Sequence, residues 1–314
     1  MKIRSDYLVL GSGLAGLLYA LRMAEHGTVS ILAKSDPGES NTAYAQGGIA
    51  GVFGPEDSFD AHISDTLSCG AGLCHEEIVR IVVTKAPDVV QKLTLLGTQF
   101  DRNTTSEESY ELGQEGGHSA RRILHAGDAT GAEIIRALMQ QALAHPNIKL
   151  YAHHIAIDLI TYRDAELGTA VSGCYALNRN TGEINSFNAK ICLLATGGVG
   201  KVYLYTSNPD SATGDGIAMA YRAGTTIANM EFIQFHPTAL NLDGAPRFLL
   251  SEAMRGEGGI LLGEAVALAT QLCFGSLAAR VVRWMPVWAI EAHVLVGFRD
   301  RVEFVRQVVM DRAA

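Results

Sequence analysis

No CxxC pair and no other metal-ligand spacing occurs in this chain of 314 residues, whose five cysteines (Cys69, Cys74, Cys174, Cys192 and Cys273) are scattered and odd in number. That placement excludes a zinc ribbon and a disulfide framework and points to a reducing compartment. Cys69 and Cys74 bracket a Gly-Ala-Gly-Leu turn and read as buried thiols. Uninterrupted apolar runs of the ~18 residues a membrane span needs are missing. Basic runs are missing too: Lys and Arg total 25 against 33 Asp and Glu, a net charge of −8. Such an acidic chain is a poor partner for nucleic acid or an anionic membrane surface. Charged residues are scarce at 18% while hydrophobic ones reach 48%, which excludes disorder and supports a sizeable core. No internal repeat and no Ser/His/Asp order is found. At roughly 150 residues per domain, the length fits one large domain or two ordinary ones.

Glycine is what the chain has in excess, 33 residues against an average of ~7%. Met1-Lys-Ile-Arg before an apolar stretch superficially resembles a signal peptide, but Asp6 interrupts it and the glycines that follow have another use. Tyr7–Leu10 is a short apolar run suited to a buried parallel strand. Gly11-Ser12-Gly13-Leu14-Ala15-Gly16 follows, and Leu14, Leu17, Leu18, Leu21 and Ala24 then recur at helical spacing up to His26, with Gly27 ending the helix. Residues 28–33 form the second strand. This is a dinucleotide fingerprint: a tight turn, a close backbone approach to a pyrophosphate, and close packing of helix on strand. The helix N-terminus favours the phosphate charge. Lys34 ends the second strand where an acid would normally bind a ribose hydroxyl, so another adenine dinucleotide is favoured over NAD.

Further along, Ser40 to Ile49 is small, polar and glycine-rich, without helical or strand period, and reads as a loop laid against something flat. Glu76 to Leu96 reads as helical, bent or divided by Pro87. Glu115-Gly-Gly-His-Ser-Ala-Arg-Arg122 has the content of a polar binding loop. His118 alone serves structure as well as function, and Arg121 and Arg122 serve equally as partners of carboxylates in the fold. A helix follows from Asp128 to Ala144, capped by Asp128 or Thr130. Strand-like runs cover 148–162, and Val171–Leu177 and Ile184–Phe187 flank Asn180-Thr-Gly182 as a hairpin. Residues 190–196 form another buried strand running into Gly197-Gly198, a second backbone approach to the same dinucleotide. Gly214-Asp-Gly216 opens a helix closed by Gly224; Asp215 serves either the helix dipole or a cofactor. Residues 232–238 and 251–258 offer a histidine, hydroxyls and alternating charges, the donors that orient a small dicarboxylate.

Taken in order, the Gly11 cradle, Asn41-Thr42 through Gly48, the Glu115 loop, Ala195-Thr-Gly-Gly198, Asp215-Gly216 and Phe235-His-Pro-Thr238 resemble the succinate dehydrogenase/fumarate reductase flavoprotein superfamily. Within it they are most similar to the L-aspartate oxidases, and the resemblance runs from about residue 7 to 259. It implies an α/β fold: a Rossmann-like FAD-binding domain (1–230) with a parallel central sheet and a β-meander, then the start of an α+β capping domain (231–259). Asn41 stands where the respiratory enzymes carry a histidine bonded to FAD, which implies non-covalent FAD. By resemblance the cofactor contacts are Gly11, Ser12, Gly13, Leu14, Ala15, Gly16 and Lys34; Asn41, Thr42, Ala43, Tyr44, Ala45, Gln46, Gly47 and Gly48; Ala195, Thr196, Gly197 and Gly198; and Asp215. Glu115, His236, Ser251 and Glu252 would line the substrate site, Ser251 replacing the usual threonine.

The implied reaction is hydride transfer from Cα of L-aspartate to flavin N5, giving iminoaspartate on the route to quinolinate and NAD, with O₂ or fumarate as acceptor. A carboxylate at Glu115 suits an amino group that succinate lacks. Quinolinate synthase is the candidate protein partner and the cytoplasm the expected compartment. A succinate dehydrogenase or fumarate reductase subunit and an inactive FAD-binding module are the alternatives. After residue 259 the resemblance ends. Residues 260–314 hold both tryptophans, six arginines, no lysine and five acids, net +1 against −9 for the rest. The superfamily continues with a cap bearing a catalytic arginine, carboxylate-binding residues and a return to the FAD sheet. None of Arg280, Arg283, Arg299 and Arg301 can be assigned to these roles. The change reads as an out-of-frame or rearranged tail of a truncated member, or else as a divergent short cap with an apolar helix over 265–279. Loss of such groups, each worth roughly 10²–10⁴ in rate, implies weak or absent turnover by the isolated chain.

Overall fold

The computed structural model describes residues 1–103, 106–166, 168–236, 239 and 249–251, and the backbone of three short strands beyond them. Glu252, Pro237, Thr238 and the helix expected over 265–279 lie outside the described residues. In chain order come β1 (Lys2–Arg4), β2 (Tyr7–Leu10), α1 (Leu14–Met23), β3 (Val29–Leu32), β4 (Ile49–Ala50), α2 (Phe59–Cys69) and α3 (Glu76–Leu95). They are followed by β5 (Arg102–Asn103), β6 (Ser106–Tyr110), β7 (Leu112–Gly113), β8 (Ile123–Leu124), α4 (Thr130–Ala144), β9 (Ile148–Tyr151) and β10 (His154–Asp164). The series ends with β11 (Gly168–Asn178), β12 (Ile184–Asn188), β13 (Ile191–Leu194), α5 (Asp215–Arg222), β14 (Ile260–Gly263), β15 (Val281–Trp284) and β16 (Ala292–Leu295).

The central sheet runs β13-β2-β3-β9 and is parallel throughout. Strand β3 is buried on both faces, Ser30 included, which is why its sequence shows no alternation of apolar and polar residues. Leu10 pairs with Leu32 on one side and Leu194 on the other, and Leu32 with Tyr151. The carboxyl ends of the strands are therefore level, and the segments after Leu10, Leu32 and Leu194 leave the sheet at one edge. One face is covered by α1 and α4, whose Leu17, Ala20, Ile134 and Leu138 pack, with Ala24 just after α1, against Val9, Val29 and Ile31. Val90 and Leu93 of α3 join that cluster; each fully buried leucine contributes about 1.5–3 kcal/mol.

The other face meets the meander β10-β11-β12, with β1 added parallel to β12. Phe187 closes this second core against Tyr151, ring centroids 4.9 Å apart, with Leu8, Leu10, Leu32, Cys174 and Met219 around it. A small sheet β4-β8-β7 ties the two central loops together. Strands β14, β16 and β15 form an antiparallel sheet of their own.

Four local expectations need correction. Residues 41–44 form a single 3₁₀ turn, capped by the Ser40 hydroxyl accepting from Ala43 N–H; one turn is too short to leave a period in the sequence. Pro87 does not divide the helix: it lies within one continuous element, which Val83, Val90 and Leu93 anchor on both sides of it. Neither Asp128 nor Thr130 caps α4; its N-cap is Ala129, without a side-chain bond. The reading of Cys69 and Cys74 as buried thiols fails: Cys69 is exposed and Cys74 half-buried, because they sit at the end of α2 and in the turn after it, outside both cores. Among the described residues no helix is long and apolar enough to cross a membrane.

Candidate functional site

At the level edge of the sheet, Gly11 has φ +117°, and a Cβ there would lie 2.2 Å from the Ala195 carbonyl oxygen. Only glycine lets β2 turn this close to the exit of β13. A Cβ on Gly16 would meet the Gly11 oxygen at 2.1 Å, so the third glycine serves the packing of α1 on its own strand. Gly13 differs: a Cβ there meets nothing closer than 3.5 Å, so its missing side chain leaves room for a ligand rather than for the fold. Helix α1 begins at Gly13 without a side-chain cap and with no acid in its first turn. Its remaining first-turn N–H groups, those of Ala15 and Gly16, and its dipole fit a diphosphate. Ser12 turns its hydroxyl away, donating to the Pro37 carbonyl at 2.8 Å, while Leu14 N–H reaches Thr42 Oγ1 at 3.3 Å.

Lys34 and Asp215, 181 residues apart, meet beside this edge. Lys34 Nζ donates to Asp215 Oδ2 and to Thr213 Oγ1, both at 2.6 Å. Burial pushes the Asp215 carboxyl up, but hydrogen bonds from Lys34 and Thr213 and the lysine charge outweigh it, so the group lies below its ordinary value and is ionised. The start of α5 thus brings a carboxylate beside Lys34, at the end of the second strand. Gly216 packs on Thr196, and Gly197 (φ +70°) lies against Asn41, so three of the sequence motifs converge.

The segment Asn41–Gly48 is gripped from one side by α4. Gly131 N–H donates to the Ala45 carbonyl at 3.0 Å, and Thr130 Oγ1 donates to Gly47 O at 2.8 Å and Gln46 O at 3.2 Å. Gln46 Nε2 also reaches Asp128. Among the described residues no peptide is cis, and in a trans peptide N–H opposes C=O. The N–H groups of Gln46, Gly47 and Gly48 therefore all point away from α4 as a row of donors. Ala43 serves the Ser40 cap, and Tyr44 turns outward to Glu39 at 2.9 Å.

Against this segment stands Glu115. A Cβ on Gly47 would lie 2.5 Å from its Oε1. Glu115 opens a turn closed by His118 N–H to Glu115 O at 3.3 Å, with Gly117 at φ +84°, the third-position conformation a type II turn demands. Arg122 anchors the far end. Its fully buried guanidinium donates to Asp57 through Nε at 2.9 Å and Nη2 at 2.7 Å, and to Asp65 through Nη1 at 2.7 Å. Asp65 also accepts from Ser119 N–H and Oγ. Its own burial would raise its carboxyl, but those Ser119 bonds and Arg122 hold it below the ordinary value. His118 Nδ1 sits 3.4 Å from Arg122 Nη1; arginine only donates, so that nitrogen accepts and the ring is neutral. Burial and the Arg122 charge lower both His118 and its neighbour His62.

Of the other expected substrate residues, His236 is half-buried beside Phe235, whose ring lies 5.1 Å from Tyr203. Ser251 is half-buried and follows an antiparallel bridge between Ala239 and Leu249. Asp57, Asp65, Thr130 and Thr213 were not legible in the sequence as parts of the site. Ser58, which caps α2, is the one local signal near them. Among the described residues no cluster of His, Cys, Asp or Glu could hold a metal ion.

The sequence profile of the FAD binding domain family matches residues 6–280. L-aspartate oxidase 2-a of Nicotiana tabacum is 50% identical over 264 residues, which cover 82% of this chain and 40% of that protein. L-aspartate oxidase of Vibrio cholerae is 51% identical over 261 residues, covering 82% and 49%. The chain thus spans about half the length of the curated relatives it matches. Among solved structures, E. coli quinol fumarate reductase FrdA superposes with a TM-score of 0.78 at 32% identity, covering 84% of this chain and 44% of that one. Mycobacterium smegmatis Sdh1 superposes with a TM-score of 0.72 at 33% identity, covering 84% and 45%. With the glycine cradle, the uncapped α1 and the row of N–H groups all at one sheet edge, this chain belongs to the FAD binding domain family, in the flavoprotein fold of the fumarate reductases and succinate dehydrogenases.

Proposed function

We propose that this chain carries the FAD-binding part of an oxidase that converts L-aspartate to iminoaspartate, the first step toward quinolinate and NAD, with O₂ or fumarate as acceptor. The observation that carries this reading is the Glu115 carboxylate seated against Gly47. An acid beside the Gln46–Gly48 donors matches an amino diacid and has no use for succinate. Relatives about half identical to the chain bear the name L-aspartate oxidase, whereas the fumarate reductase FrdA is 32% identical.

Bound FAD supplies the two-electron acceptor, and the protein supplies orientation and charge. The first turn of α1 holds the diphosphate, and Asp215, fixed by Lys34, is the ribose acid. The N–H groups of Gln46, Gly47 and Gly48 face the ring, and Glu115 takes the substrate ammonium. By the family resemblance His236, Ser251 and Glu252 line the substrate site. Residues 1–230 form the cofactor domain, 231–259 begin the cap, and 260–314 form a tail distinct from both. Quinolinate synthase in the cytoplasm is the proposed recipient of the product. An anaerobic absorbance spectrum tests this: the purified chain is yellow, and aspartate but not succinate perturbs its flavin, with slow bleaching at most because turnover by the isolated chain is impaired. A folded, colourless chain that refuses FAD would refute it.

A further inference from the structure

Building on the aspartate reading, we infer that Gly47 is a positioning residue for substrate choice: its missing side chain keeps the place of the Glu115 carboxylate. A Cβ at 47 would stand 2.5 Å from Glu115 Oε1, whereas ordinary contact begins at 3.4 Å, so something has to give by about 0.9 Å. Neither backbone can. The Gly47 carbonyl is bound by Thr130, and a Cβ on neighbouring Gly48 would meet the Leu124 oxygen at 2.1 Å. The Glu115 turn is closed by His118, held by Gln114 Nε2 on the His118 carbonyl, and anchored through Ser119 and Arg122 to Asp65. Gly47 itself is not at positive φ, so alanine fits the backbone. The displacement therefore falls on the flexible end of Glu115 and moves its charge off the ammonium position.

The test uses G47A, E115Q and G47A/E115D, with FAD affinity and the spectral shift of bound flavin on titrating aspartate or succinate as readouts. In G47A, aspartate binding weakens about 10- to 100-fold more than succinate binding does, as in E115Q. Aspartate at 115 is one C–C bond (about 1.5 Å) shorter, so G47A/E115D regains aspartate binding relative to G47A. Equal loss of aspartate and succinate, an unchanged aspartate affinity in G47A, or no recovery in the double variant overturns the inference. If G47A loses FAD, its return in G47A/E115D supports the inference and continued loss overturns it. Should wild-type flavin ignore aspartate, the substrate reading fails on its own, and a crystal structure of G47A decides this point. A Glu115 carboxylate displaced by about 0.9 Å supports it, and an unmoved one sinks it.

Discussion

Replacing Arg122 with methionine isolates the anchor of the Glu115 loop. The variant removes three short charge-assisted hydrogen bonds, two to Asp57 and one to Asp65. The two carboxylates differ in what remains to them. Asp65 is 18% exposed and keeps the Ser119 donors; Asp57 is 2% exposed and keeps the Ser58 N–H at 2.8 Å. The cost is therefore that of one uncompensated buried carboxylate, about 3–5 kcal/mol.

Against a total stability of about 5–15 kcal/mol this is a large share, and it lowers the melting temperature by roughly 2–4 °C per kcal/mol in a chain of this size. Urea unfolding followed by circular dichroism measures it. The double variant R122M/D57L removes the stranded charge and regains most of the loss. A cost below about 1 kcal/mol for R122M, or a double variant as unstable as R122M, refutes the reasoning.

Gly11→Ala forces a side chain into φ +117° and onto the Ala195 oxygen; the purified variant carries little FAD, and flavin content equal to wild type contradicts the cradle. His62 and His118 are lowered below their ordinary 6.5 by burial and by Arg122. The unfolded chain then binds protons the folded one refuses, so stability is full above about pH 6.5 and declines as pH falls below it; unfolding midpoints that stay flat across that window count against a neutral pair. The lowered carboxyls of Asp65 and Asp215 act only below their ordinary 3.8, a separate window. Alkylation of native protein mapped by mass spectrometry marks exposed Cys69 first and spares Cys174, whose thiol burial pushes up to about 12; early modification of Cys174 excludes the second core as described.

Local chemistry made the β2-α1-β3 unit readable in advance. Turn glycines, a 3.6-residue apolar stripe and short apolar strands act within a few residues of one another, so the chain carries their pattern directly. The hairpin at Asn180-Thr-Gly182 and the opening of α5 at Gly214 were legible for the same reason. Tertiary packing alone decided which distant side chains meet: Lys34 with Asp215, Arg122 with Asp57, Glu115 with Gly47, and Thr130 with the carbonyls of Gln46 and Gly47. No spacing rule announces such pairs, because they depend on how level strand ends and helix termini stack at one edge. That stacking also settled Arg122, which as a bare residue suits a ligand or a carboxylate equally well and proved to be fully buried in an ion pair. Short-range pattern establishes that a dinucleotide cradle exists; three-dimensional packing selects which acid, base and carbonyl surround it, since charge and shape complementarity are properties of surfaces brought together.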